Sequence, residues 1–156
     1  MLPEKLVPIH GVSPATNAGA VNGARISVKS FHKLYAVVHV TQGNAAQSTI
    51  ALQESTSIAG GGEQAVANTQ RIWSNLDVAA ARRLVERTSA INYQLDAGLA
   101  SKIVVFEIDP AKLSAGFDCV RCIAGASDVG NIVSIMYYGV PRYESRVLTQ
   151  PDPGVD

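Results

Sequence analysis

The sequence predicts an all-β protein, an antiparallel β-sandwich of about eight strands. Three observations point there. Short runs alternate apolar and polar residues with a period of two. Clusters of Gly, Ser, Asn and Pro separate those runs at regular spacing. Hydrophobic residues make up 47% of the 156-residue chain and charged residues only 17%, so one domain can bury a substantial core.

The strands follow in order. GARISVK (23–29) places Ala24, Ile26 and Val28 on one face. KLYAVVHVT (33–41) is the strongest strand, with Leu34, Ala36, Val38 and Val40 on one face and Tyr35, Val37 and His39 on the other. After the TQGNAAQ loop, STIALQES (48–55) pairs apolar Ile50 and Leu52 against polar Thr49 and Gln53. SIAGGGEQAVANTQ (57–70) reads as a long flexible excursion, and QRIWSNL (70–76) alternates again. AINYQLD (90–96) and KIVVFEID (102–109) precede a proline corner; FDCVRCIA (117–124) and NIVSIMYYG (131–139) complete the set. One segment departs from the pattern. DVAAARRLVER (77–87) is rich in helix formers behind Asp77 as an N-cap, which predicts a short helix, with a loop as the alternative.

The sandwich domain is expected over 21–140, between an N-terminal arm (1–20) and a C-terminal arm (141–156). Pro3, Pro8 and Pro14 interrupt the first; Pro141, Pro151 and Pro153 interrupt the last. Either the arms fray, or they order on a neighbouring subunit. Leu6, Val7 and Ile9 at one end, and Tyr143, Val147 and Leu148 at the other, supply apolar surface for the second role.

Thirteen basic and thirteen acidic residues give a net charge of zero. That offers no global attraction to nucleic acid or an anionic membrane, and little to keep copies apart. No run of about 18 apolar residues is present to span a membrane. The N-terminus lacks an apolar signal core, and two cysteines make no disulfide framework, so folding in the reducing cytoplasm is expected.

Little in the chain suggests catalysis. Cys119 and Cys122 are spaced C-x-x-C, but on a strand they point to opposite faces and cannot grip one zinc. No helix starts there to activate a thiol. His10, His32 and His39 lack metal-ligand spacing. AGGGEQ (59–64) lacks the Gly-Lys-Ser/Thr of a phosphate loop, and no G-x-S-x-G elbow occurs. Glu107 and Asp109 read as a solvated strand end. Arg71, Arg82, Arg83 and Arg87 are the one basic concentration, read as a solvated face, with contact to an acidic protein surface or to phosphate as the alternatives. Trp73 is core or an interface anchor. No catalytic residue, cofactor or metal is expected.

The second half of the chain resembles a known group. RIWSNLD, KIVVFEIDPAKLSAGFDCVRCIAG and NIVSIMYYGVPRYES resemble small virion-associated proteins encoded among the head genes of tailed bacteriophages. The pattern covers roughly 20–145 and is strongest over 102–145, through I-D-P-A-x-L-x-x-G-F-D and the late P-R-Y that contains Arg142 and Tyr143. The resemblance implies a jelly-roll-like sandwich and a capsid decoration, or cement, protein on the exterior of the virion. Its partners would be the major capsid protein and itself, as a dimer or trimer, with no nucleic acid or membrane. The implied interface residues are Leu6, Val7, Ile9, Trp73, Arg142, Tyr143, Val147 and Leu148. The alternatives are a head–tail connector or tail component, and a carbohydrate-binding sandwich using Trp73, Tyr93, Tyr137, Tyr138 or Tyr143.

Overall fold

The computed structural model describes residues 5–142 and Gly154. The strands are β1 (Val7–Thr16), β2 (Val21–Asn22), β3 (Ile26–Ser27), β4 (Phe31–Gln42), β5 (Thr49–Ser55) and β6 (Gln64–Ala65). They continue with β7 (Gln70–Asn75), β8 (Val85–Ala90), β9 (Asn92–Gln94), β10 (Ser101–Ile108), β11 (Cys119–Ala124) and β12 (Asn131–Pro141). A 3-10 turn, Pro110–Lys112, follows β10, with Asp109 accepting from the Ala111 amide.

Two antiparallel sheets form the sandwich. The larger runs β1-β12-β4-β10-β7-β8. The smaller runs β2-β11-β5-β6, with β3 also on β11 and β9 also on β5. Read as β1-β12-β4-β10 over β2/β3-β11-β5-β9, this is the interleaved strand order of a jelly roll. β6, β7 and β8 are inserted between β5 and β9, and two of them widen the larger sheet.

The alternation in the sequence sets which faces meet. Leu34, Ala36 and Val38 on β4 are 0% exposed, as are Ile135 and Tyr137 on β12 and Phe106 on β10. Ile50, Leu52, Val120 and Cys122 oppose them from the smaller sheet. Burying each of the Leu, Ile, Val and Phe side chains among these contributes about 1.5–3 kcal/mol.

Three expectations are corrected. Residues 7–16 are not an arm: they form β1, paired with β12 from Val7↔Gly139 to Thr16↔Ile132. Its prolines are tolerated because β1 is an edge strand and Pro14 falls in a register shift between Val12 and Ala15. Residues 77–87 are not a helix. Asp77 caps a single turn through Ala79 (3.0 Å) and Ala80 (3.1 Å), and the chain then enters β8 along the open edge of β7. An Ala/Arg segment with no apolar stripe gains too little as a short helix to compete with a ladder. Residues 57–70 are not a loose excursion. Glu63 bonds both Arg25 (2.5 Å) and Arg121, β6 pairs with β5, and Val66 is 1% exposed.

Candidate interaction surfaces

Two surfaces stand out. The first is one end of the sandwich, where the loops 17–20, 43–48, 95–100 and 125–130 gather. Asn131, 1% exposed, braces this end. Its Oδ1 accepts the Asn44 amide at 2.8 Å, and its Nδ2 donates to Ala46 O (2.9 Å) and Ser127 Oγ (2.8 Å). The Asn17 amide donates to Asn131 O at 2.7 Å, which ties in the first loop. Gly43 lies so close to Gly130 that a Cβ would sit 2.5 Å from its carbonyl oxygen.

Lys102 holds the third loop, 95–100. Its ammonium is fully buried and donates to Gln42 Oε1 (2.7 Å), Asp96 O (2.8 Å) and Asp96 Oδ1 (2.5 Å). That hydrogen bond lowers the Asp96 carboxyl below its ordinary range, and the Gly98 amide adds to the effect.

On this braced end two loop tips are apolar and exposed, Leu99 at 66% and Val129 at 65%, and Ile132, 42% exposed, lies beside them at the start of β12. The turn leading to exposed Leu84 and Val85 is attached to the same end, through Val78 N to Ser101 O and Asn75 Nδ2 to Ala81 O (2.6 Å).

The second surface is the outer face of the larger sheet. Strand registers align Met136, Val37, Val105 and Trp73 in one row across β12, β4, β10 and β7. Tyr138, Tyr35, Glu107 and Arg71 form the next. Beyond Met136 and Val37 the next row is more polar, with Ser134, His39, Ile103 and Asn75. The aliphatic and aromatic side chains thus form a central strip of a face that is otherwise polar, as a solvated face ordinarily is. Its charges run from β4 across β10 and β7 to β8 and are paired. Lys33 bonds Glu107, Arg71 Nη1 lies 3.8 Å from Glu107, and Arg71 donates to Glu86 Oε1 from Nε (3.1 Å) and Nη2 (2.9 Å). The bond to Glu107 raises the Lys33 pKa. The outer face of the smaller sheet is polar instead, with Arg121 on Gln53 (2.9 Å) and the Glu63 clamp above it.

The residues singled out from sequence are scattered. Val7 is 6% exposed and Ile9 packs on the core, so both bury their surface within this chain rather than in a neighbour. Leu6 is half-buried just before β1. Trp73 lies on the outer face of the larger sheet, half-buried, with the Arg71 guanidinium 4.6 Å from its ring centroid. Arg142 is fixed to the β4 start, its Nε donating to Phe31 O at 2.9 Å. Tyr143, Val147 and Leu148 lie outside the described residues.

Among the aromatic candidates for sugar stacking, Tyr137 is core, Tyr93 bonds Ser74 at 3.1 Å, and Arg71 occupies one face of Trp73. Cys119 and Cys122 are both buried, without a disulfide, and alternate across β11 as their strand reading requires. Burial pushes the Cys122 thiol pKa far up.

Neither surface was singled out from sequence, yet both left a signal. Isolated large apolars stand in small-residue loops at GLA (98–100) and DVG (128–130). YAVVHV, IVVFEI and SIMYYG are apolar on both strand faces.

The chain matches no protein-family model, and no curated protein matches it. Three solved structures align with it. The SPBc2 prophage-derived protein YomS aligns at 11% identity and a TM-score of 0.49, over 86% of this chain and 91% of that one. A Bacteroides thetaiotaomicron protein provisionally assigned to sugar binding aligns at 10% identity and a TM-score of 0.27, over 78% of this chain and 65% of that one. A Desmodium yellow mottle tymovirus structure aligns at 7% identity and a TM-score of 0.17, over 91% of both chains.

Proposed function

We propose that this chain is a bacteriophage virion structural protein that decorates the capsid shell and stabilises it by bridging neighbouring major capsid subunits from outside. The observation that carries the reading is the braced loop end. Leu99 and Val129 are apolar and open, on loops held by Asn131 and Lys102, and Ile132 is exposed at the start of β12 beside them. Tips that are already ordered lose little freedom on docking, so even a small contact gives net binding. Repeated over a lattice, one weak contact per copy adds stability to the whole shell. The reading also agrees with the resemblance of residues 102–145 to decoration proteins.

Copy number tests it. Copies of this chain per major capsid protein are counted in purified particles of its source by quantitative mass spectrometry. A ratio from one-to-one down to one-to-a-few is expected. A handful of copies per particle would move the protein to the connector or tail, and absence from particles would overturn the virion reading.

A further inference from the structure

From the outer face of the larger sheet we infer that two copies of this chain pack face to face through it, about a two-fold axis near Val37 and Val105. The inference does not depend on the capsid reading. The face carries an apolar strip at its centre, with Met136, Val37, Val105 and Trp73 in one continuous row and Tyr138 and Tyr35 beside it.

Its size suits a dimer. Five strands at about 4.8 Å, and seven residues along each at about 3.4 Å, give a footprint of about 24 Å by about 24 Å. Two such footprints remove over about 1,000 Å² from water, the threshold for a specific interface.

Its charges favour a second copy over a charged partner. Lys33, Glu107, Arg71 and Glu86 form a neutral ladder from β4 across β10 and β7 to β8, already paired within the chain. The whole chain has a net charge of zero, so two copies meet without repulsion. The opposite outer face, with Arg25, Glu63 and Arg121, has the polar character that water requires.

Light scattering and sedimentation of the full chain test the inference. The expected mass at micromolar concentration is twice the 16.4 kDa chain. Met136→Arg, outward on the face, is expected to run as a folded monomer, its dimer weakened at least about tenfold. Val37→Cys keeps the fold safe should Met136→Arg unfold. The native thiols are buried, so a short bis-maleimide should link two copies through residue 37 alone. A monomeric wild type, a dimer that survives a folded Met136→Arg, or no cross-link at Val37→Cys overturns the proposal.

Discussion

The Tyr137 hydroxyl, on β12 of the larger sheet, accepts the backbone N–H of Cys122, on β11 of the smaller sheet, at 2.8 Å. It fills the gap in the β11 ladder where β2 ends and β3 has not begun. Gly23 makes room for it, since a Cβ there would lie 2.5 Å from the hydroxyl and 2.8 Å from Cys122 O. Tyr137→Phe leaves a buried N–H without its acceptor, at an expected cost of about 1–3 kcal/mol. Gly23→Ala crowds the same spot and is expected to cost about 1–3 kcal/mol. Urea denaturation at equal m-value measures both, and a neutral Tyr137→Phe would remove this bond from the account.

The same pair sets the alkaline limit. Burial raises the folded-state pKa of Cys122 above its ordinary 9.0 and that of Tyr137 above its ordinary 10.0. The unfolded chain releases these protons first. Stability is therefore full below about pH 9 and falls as pH rises, by up to about tenfold in the folding constant per pH unit per group. Cys122→Ala should flatten the fall between pH 9 and 10, measured by urea melts across the range. Thiol reagents should label Cys122 only on unfolding.

At the loop end, Asp96→Asn takes a charged acceptor from the buried Lys102 ammonium. The expected loss at neutral pH is about 1–3 kcal/mol, since Asp96 itself is half in solvent. The wild-type Asp96 carboxyl is held below its ordinary 3.8. Its contribution is complete above that value and lost as pH falls through the lowered one. Thermal melts from pH 2 to 7 should show a shallower acid limb in Asp96→Asn.

Glu63 is the pin of the 57–66 segment. Its carboxylate bonds Arg25 and Arg121, each partly buried. Glu63→Ala should lower stability by about 1–3 kcal/mol and speed amide exchange across 57–66 without changing exchange in β4 and β12. Unchanged exchange in that segment would mean that the β6 pairing alone holds it.

If the loop end is the capsid contact, Leu99→Asp with Val129→Asp should leave stability within about 0.5 kcal/mol of wild type, because both side chains are exposed. Capsid occupancy should fall at least about tenfold in a reconstitution with particles lacking the protein. Full occupancy by the double variant would place the contact elsewhere on the molecule.

How much of this could be read from sequence depends on which neighbours decide each element. β4, β5, β10, β11 and β12 were legible because their own alternation dictates an inner face, and Leu34, Leu52, Phe106, Val120 and Ile135 all point inward. β1 was not, because Pro8 and Pro14 break a central ladder but not an edge one, and edge position is a property of the whole sheet. β8 was not, because the Ala-Arg run favours a helix locally while the open edge of β7 offers a ladder from afar. The loop end was hidden for a similar reason. Leu99 and Val129 lie thirty positions apart in the chain, and only the jelly-roll order brings their loops together.

The pairing of β1 with β12 has a consequence for synthesis. Among the described residues β1 has one ladder partner, β12, the last of the described strands to be made. At ordinary translation rates, on the order of ten seconds separate the emergence of Val7 from that of Asn131. During that interval β1 has nothing to pair with, and β4 carries an open edge where β12 will insert. A nascent chain halted before residue 131 would keep Leu34, Ala36 and Val38 half-covered, which makes it a natural client for chaperones. Completion of β12, rather than of any earlier described strand, joins β1 to β4 in the larger sheet and commits the molecule to its native state.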